Sequence, residues 1–329
     1  MMSRRVGWSF VIVIALLVAV VLYSATTGSL KVSSLELIQG LFSGTNKNVQ
    51  IIKDLRLPRI IVALFVGAAL AVSGVLLQAV MRNPLADAGV IGISSGAGFI
   101  SLLFVTIFPT LFFWLPLFAF IGGAFACFLV YSFSWKSGLS PMRIILVGIA
   151  INATFTGLGQ SFNYRGSYAV ASLNQATTSI FTMKTWNDVQ VMILYGSIGL
   201  LLSMLLYSWC NLLSLQDKSA HNLGLNVTRA RLLISIVAVL LAAVATAIGG
   251  LIAFVGLLIP HVARLLIGSD HKVLIPFSAL AGALLILGAD TLGRTLLAPT
   301  EIPASIIMTV IGGPFLVFLI RKSERVHGN

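Results

Sequence analysis

Apolar runs long enough to cross a bilayer alternate along this chain with short polar breaks. A span needs roughly 20 apolar residues, and the pattern predicts ten: 8–26, 58–81, 90–108, 115–135, 142–162, 189–209, 229–249, 251–268, 274–297 and 304–320. Pro109, Pro116, Pro141, Pro276, Pro299 and Pro303 fall at or near these boundaries, where a missing N–H costs least. The first run follows Arg4 and Arg5 as a signal peptide would. Its long apolar core lacks a small-residue cleavage site, which favours a retained helix. Gly249-Gly250 reads as a tight turn between the seventh and eighth spans. One long broken helix is the alternative, and it would put the termini on opposite sides. Between spans lie a polar segment at 29–57, with an amphipathic patch at Leu35–Phe42, and polar stretches at 163–188 and 210–228.

Around residues 55–98 the pattern carries more information. Leu55-Arg-Leu-Pro-Arg59 precedes the second run, Met81-Arg-Asn-Pro-Leu-Ala-Asp87 follows it, and a Gly/Ser-rich stretch covers Gly89 to Gly98. Inside the run, Gly67, Ala71 and Gly74 are spaced by four and three. That spacing puts three small residues on one helical face, where another backbone can come close. The rest of the chain is expected to be organised around this segment.

Composition turns the pattern into a class. Of 329 residues, 58% are hydrophobic and only 9% charged, with mean hydropathy +1.03. A soluble domain of this size would lack a polar surface, so the expectation is an all-α polytopic membrane protein. The net charge of +12 comes from Lys and Arg scattered between apolar runs. Membrane topology explains it, and no nucleic-acid partner is expected. With the N-terminus inside, thirteen basic residues fall in inner segments and eight in outer ones, as the positive-inside rule requires. Ten spans return the C-terminus to the same cytoplasmic side. Cys127 and Cys210 fall in or at the end of spans and read as reduced packing residues.

The chemistry is sparse. No Gly-x-x-x-x-Gly-Lys-Ser/Thr loop occurs, and no lysine follows the Gly-rich run, so ATP, if used, is hydrolysed by a partner. No His/Cys/carboxylate cluster has metal-ligand spacing, so no metal, cofactor or catalytic residue is expected. His261 and His271 read as helix-end residues. Ion-coupled transport usually needs ionisable groups near the bilayer middle. Of nine acids only Asp290 lies clearly within a span, with Arg294 four residues on, which reads as a local ion pair. An ion-coupled secondary transporter and an enzyme with an intramembrane site are therefore the weaker readings.

Three ordered blocks carry a resemblance. The first is Leu55-Arg-Leu-Pro-Arg59, Gly67 to Gly74, Gln78, Asn83-Pro-Leu-Ala86 and Gly92-Ile-Ser-Ser-Gly-Ala-Gly98. The second is Gly256-Leu-Leu-Ile-Pro-His-Val-Ala-Arg264, Asp270-His-Lys272, Pro276, Ala281-Gly-Ala283, Ala289-Asp290 and Arg294. The third is Glu301-Ile-Pro303 with Gly312-Gly-Pro314. Together they resemble the permease family of bacterial iron–siderophore, haem and vitamin B12 ABC importers, over nearly the whole chain and most closely its iron–siderophore members.

The resemblance implies a type II ABC importer fold, with residues 1–329 as one transmembrane permease domain of about ten helices in the bacterial cytoplasmic membrane. It implies a second permease chain (a copy or a paralogue), two ATP-binding subunits and an extracytoplasmic substrate-binding protein. The implied cargo is a ferric siderophore, with haem or cobalamin as the alternative. Arg56, Arg59 and Arg294 match arginines that dock the binding protein; interfacial anchoring or pairing with Asp54 or Asp290 is the other reading. Ala220, Gly224 and Leu225 match the inner loop seated on the ATPase, although Gly224 also reads as a helix cap. Pro141 and Met142 match a gate before the fifth span. Asn152 faces either the channel or a neighbouring helix.

Overall fold

The computed structural model describes residues 4–27, 52–108, 110–134, 141–164 and 181–327, and a helix meets each expected span. These are α1 (Arg4–Thr26), α2 (Leu57–Met81), α3 (Ile93–Ile107), α4 (Leu115–Ser134), α5 (Pro141–Tyr164) and α6 (Trp186–Leu205). After the short α7 (Tyr207–Leu213) and α8 (Asp217–Asn222) come α9 (Val227–Gly249), α10 (Val255–Ile267), α11 (His271–Leu296) and α12 (Ala304–His327). Among the described residues, seven helices have the length and apolarity of a membrane span. α3, α10 and the apolar part of α12, Ala304–Val317, are shorter. The amphipathic patch at Leu35–Phe42 lies outside the described residues.

Two boundaries differ from expectation. The chain does turn after Gly249, where Gly250 caps α9 at φ 78°. Residues 250–254 are not helical, however, and α10 starts at Val255 rather than 251. Pro276 lies inside α11 rather than at its edge. Asp270 starts that helix earlier, accepting the Lys272 N–H at 3.0 Å, the usual task of an N-cap carboxylate.

α2 is the axis of the bundle. It is apolar on every side, as a helix enclosed by others must be, and all but a few of its residues are buried. Its heaviest packing is against α11 and α9, then α6 and α10. The expected small-residue face is where two of these meet it. A Cβ added at Gly67 would stand 2.2 Å from the Gly282 carbonyl oxygen of α11, and one at Gly74 2.1 Å from the Gly256 oxygen of α10. A Cβ at Gly282 would stand 2.5 Å from the Ala71 methyl. Backbone touches backbone at these points, which gives dispersion contact where lipid offers no hydrophobic drive.

Residues 82–92 link α2 to α3 by a non-helical, largely buried path, and the Gly/Ser-rich stretch runs on into the first turns of α3; at membrane depth, irregular backbone is tolerated only where protein or a water-lined cavity surrounds it. Gly92 takes φ 87° there, against Gly148 and Asn152 of α5. Asp87 is 3% exposed, accepts the Gly89 N–H at 2.9 Å and faces the first turn of α10 at Phe254 and Leu257. That turn has no side-chain cap of its own. The carboxylate thus meets the positive end of a helix dipole. Cys127 and Cys210 are buried and unpaired, as packing residues.

Candidate functional site

The polar side chains gather at the two ends of α2. At its Leu57 end, Arg59 emerges from the first turn into the space between α2, α11 and the 297–303 connection. Its guanidinium grips Asp290 with both prongs, Nε to Oδ2 at 2.9 Å and Nη2 to Oδ1 at 2.8 Å. Nη1 reaches the Glu301 carboxylate at 2.9 and 3.2 Å. The Thr182 hydroxyl donates to the same carboxylate at 2.7 Å. Arg59 and Asp290 side chains are 10% and 3% exposed, Glu301 40%. Arginine suits this place because its planar fork satisfies two carboxylates at once.

The other two arginines of this rim turn inward as well. Arg294 donates from Nη2 to the Ser24 carbonyl at 3.0 Å and hydroxyl at 2.8 Å, and its Nε stands 4.0 Å from Asp290. Arg56 donates to the Ala25 carbonyl at 3.0 Å. Arg56 and Arg294 thus meet the end of α1, and Arg294 shares Asp290 with Arg59. The expected Asp290–Arg294 pair is secondary, and Asp290's main partner is Arg59, 231 positions away. Sequence reasoning gave no role to Glu301 or Thr182; the only signal was Glu301's place in a matched motif. Burial opposes ionisation of Glu301, but the Thr182 hydroxyl and Arg59 prevail and hold its carboxyl below the ordinary range.

At the Met81 end, α2 reaches the α7–α8 segment. Arg82, in the left-handed C-cap position, donates from Nε to the Leu213 carbonyl at 2.7 Å and from Nη2 to the Leu215 carbonyl. The same Nη2 lies 2.6 Å from Asp217, the first residue of α8. Asn211 of α7 donates to Asp270 at 2.8 Å and accepts the His271 N–H at 2.9 Å, its carbonyl also 2.7 Å from the His271 ring. The Asn211 amide and then the Lys272 N–H hold the Asp270 carboxyl below its usual value. α2 and α11 are therefore pinned to one another at one end and to α7–α8 at the other. The helix-end role expected for His271 is the one it has; His261 stacks edge-on against Phe315 at 5.8 Å.

α8 ends in a capping motif. Gly224 takes φ 85°, its N–H bonds the His221 carbonyl at 2.9 Å, and the Leu225 N–H bonds the Ala220 carbonyl at 3.1 Å. Ala220 and Leu225 are both buried in the core, at the two positions whose apolar side chains usually accompany such a cap. Gly224 is exposed, beside Leu223 at 64% exposure. Of the three matched residues, only Gly224 is presented outward. Between the two ends, Gln78 donates to the Gly256 carbonyl at 3.0 Å and accepts from Arg264 at 2.5 Å, tying α2 to α10. Pro141 and Met142 open α5 rather than lying in a loop, and 135–140 is outside the described residues. Asn152 is half-buried where α5 meets Gly92. The structure thus separates the matched residues into two end clusters and the α5 positions. Among the described residues there is no cluster of three or more His, Cys, Asp or Glu that could hold a metal.

Known proteins carry the same pattern. The model of the FecCD transport family matches residues 16–322. The chain is 42% identical over 325 residues, 99% of both sequences, to the probable heme-iron transport system permease protein IsdF of Staphylococcus aureus strain MSSA476, and equally to that of strain Newman. A metal-chelate type ABC transporter solved in an inward-facing conformation superposes with a TM-score of 0.80 at 31% identity, covering 96% of this chain and 99% of that one. PsaBC from Streptococcus pneumoniae, solved with a Fab, superposes at 0.62 with 17% identity over 87% and 95% of the two chains, a likeness of fold.

Proposed function

The chain belongs to the FecCD transport family, and from that premise we propose that it carries iron bound in haem, as one of two permeases above a pair of ATPases. It is a permease subunit of an ABC importer for metal chelates, a multi-pass protein of the bacterial cytoplasmic membrane and not an enzyme. The observation carrying the proposed cargo is the 42% identity, over 99% of both chains, to haem-iron permeases. On that ground haem is preferred to the ferric siderophore that the motif resemblance implies.

In this reading the Arg59 end faces outward to the binding protein, and the α7–α8 segment faces the cytoplasm and seats on an ATPase through Leu223 and Gly224. Ten crossings leave both termini inside. Force from the ATPase enters at α8, passes through Asp217–Arg82 to α2 and through Asn211–Asp270 to α11, and moves the two helices together. Arg59–Asp290 keeps their outer ends in register. Arg56, less buried than Arg59 and Arg294, is the arginine best placed to meet an acidic partner. Release of cargo requires different affinities in the outward and inward states, so a wide, weakly binding path is expected between the permeases.

Competition for uptake tests the cargo. Proteoliposomes holding the full transporter and its binding protein should accumulate iron-labelled haemin, with unlabelled haemin displacing it and a ferric hydroxamate failing to. Uptake of the hydroxamate with indifference to haemin would return the assignment to a siderophore.

A further inference from the structure

One cavity opens from the Asp217 side of the α7–α8 cluster. It has a volume of ≈ 320 Å³ and runs between α4 and α9. α4 contributes Phe120, Ala124, Cys127, Phe128 and Tyr131 to its wall, and α9 contributes Thr228, Arg231, Leu232, Ser235, Ile236 and Val239. On each helix these positions recur at three to four residues, so the groove follows both helices for about three turns, roughly 16 Å. That length is about half the hydrocarbon core of a bilayer, the depth of one leaflet. Phe128, Leu232 and Ile236 are 64%, 61% and 42% exposed, large apolar side chains that mark a face turned to lipid.

The groove is not uniformly greasy. Its polar groups collect at the end next to α8. Arg231 contributes Nη2 to Asp217 at 3.1 Å, but the same Asp217 oxygen already meets Arg82 at 2.6 Å. Two guanidinium charges share one carboxylate, which leaves a net positive charge there. Arg231 Nε is buried with no hydrogen-bond partner among the described residues, and the Tyr131 hydroxyl is buried within reach of the Ser235 hydroxyl. Buried donors without partners are uncommon and costly. An apolar channel one leaflet deep, ending in an under-neutralised arginine beside two hydroxyls, matches the two halves of one kind of molecule.

We infer that the α4–α9 groove binds an anionic phospholipid, with an acyl chain along Phe120–Phe128 and Leu232–Val239 and the phosphate on Arg231. The Tyr131 hydroxyl then donates to a phosphate or ester oxygen of the lipid. Because the headgroup competes with Asp217 for Arg231, the lipid acts on the first residue of α8. Under the topology proposed above, it comes from the cytoplasmic leaflet.

Photolabelling tests this on the intact transporter in nanodiscs. The probe is phosphatidylglycerol bearing a diazirine on one acyl chain. Cross-links should map to peptides within 120–131 and 228–239. Unlabelled phosphatidylglycerol should compete, whereas phosphatidylcholine and inorganic phosphate should not. Arg231→Gln should lower labelling about fivefold, the loss of one basic contact near an anionic surface, and Arg231→Lys should restore most of it. Ala124→Trp, which fills the groove without touching the arginine, should abolish labelling. Labelling elsewhere, competition by phosphatidylcholine equal to that by phosphatidylglycerol, or unchanged labelling of Arg231→Gln each overturns the assignment. So does absence of labelling because a second copy of the chain covers the groove. Haemin uptake is scored separately, so failure of the lipid site leaves the cargo assignment standing.

Discussion

Replacing Gly74 by alanine probes how the centre of the bundle is held. The added Cβ would stand 2.1 Å from the Gly256 oxygen and 2.3 Å from its Cα, far inside the roughly 3.5–4 Å of a favourable contact. The obstacle is the backbone of α10, which has no rotamer to yield, so α2 and α10 must part by about 1 Å. Overpacking of this sort costs about 1–3 kcal/mol. The Gln78 bond to the same carbonyl, 3.0 Å long, is strained with it, at about 1 kcal/mol. Alanine's better helix propensity returns about 1 kcal/mol. The balance is a loss of roughly 1–3 kcal/mol. Gly288 of α11 is the control, since nothing lies within 4 Å of a Cβ built there, and Gly288→Ala should be neutral or gain up to about 1 kcal/mol. The assay is thermal unfolding of the purified chain in detergent, followed by tryptophan fluorescence. Gly74→Ala should melt several degrees below wild type and Gly288→Ala at or above it. Equal melting of Gly74→Ala and wild type would show that the helices are not in backbone contact and would refute the packing argument.

Removing one partner of the Arg59–Asp290 clamp strands a buried charge, so Asp290→Asn or Arg59→Gln should each cost about 3–5 kcal/mol, whereas Arg59→Met with Asp290→Leu should cost much less; a double-mutant cycle on Tm reads the difference. The Glu301 carboxyl sits below its ordinary value of 4.5 in the folded chain. Its contribution is therefore complete above about pH 5 and is lost as pH falls through the folded-state value. Glu301→Gln should flatten the acid limb of a stability–pH curve, and an unchanged limb would remove Glu301 from the network. Gly224→Ala should cost about 1–2 kcal/mol through its φ of 85° with no clash, as no atom lies within 4 Å of the new Cβ. Leu223→Glu should keep the fold but weaken stimulation of ATP hydrolysis by loaded binding protein; full stimulation would discard Leu223 as the seat.

Local pattern made much of this architecture legible. The length of each apolar run placed the helices, and the Gly67–Ala71–Gly74 spacing announced the close approach of another backbone before its owner was known. What the pattern could not give was the partner across the bundle. Asp290 had Arg294 four positions away, and the nearer residue in sequence looked like its mate; Arg59 won because the fold brings it close enough to bind with both prongs. Ala220 and Leu225 were legible as small and apolar, which suits a buried cap as well as a docking surface, and nothing in the local pattern foretold their burial. Pro276 looked like a boundary because its proline was visible and the Asp270 cap, six residues upstream in a polar loop, was a weaker cue. The α4–α9 groove had no signature at all, since its apolar walls read as ordinary span and Arg231 as one more basic residue at a helix end.

In the proposed cycle this chain supplies a path and its partners supply the work. Uptake of iron-labelled haemin into proteoliposomes measures that directly, with ATP, the ATPase pair and the binding protein each omitted in turn. Uptake should need all three, fail with orthovanadate, and persist when an ionophore collapses the ion gradients. Accumulation by the permease alone, or loss of uptake with the ionophore at constant ATP, would show that the driving force is not ATP hydrolysis on a partner.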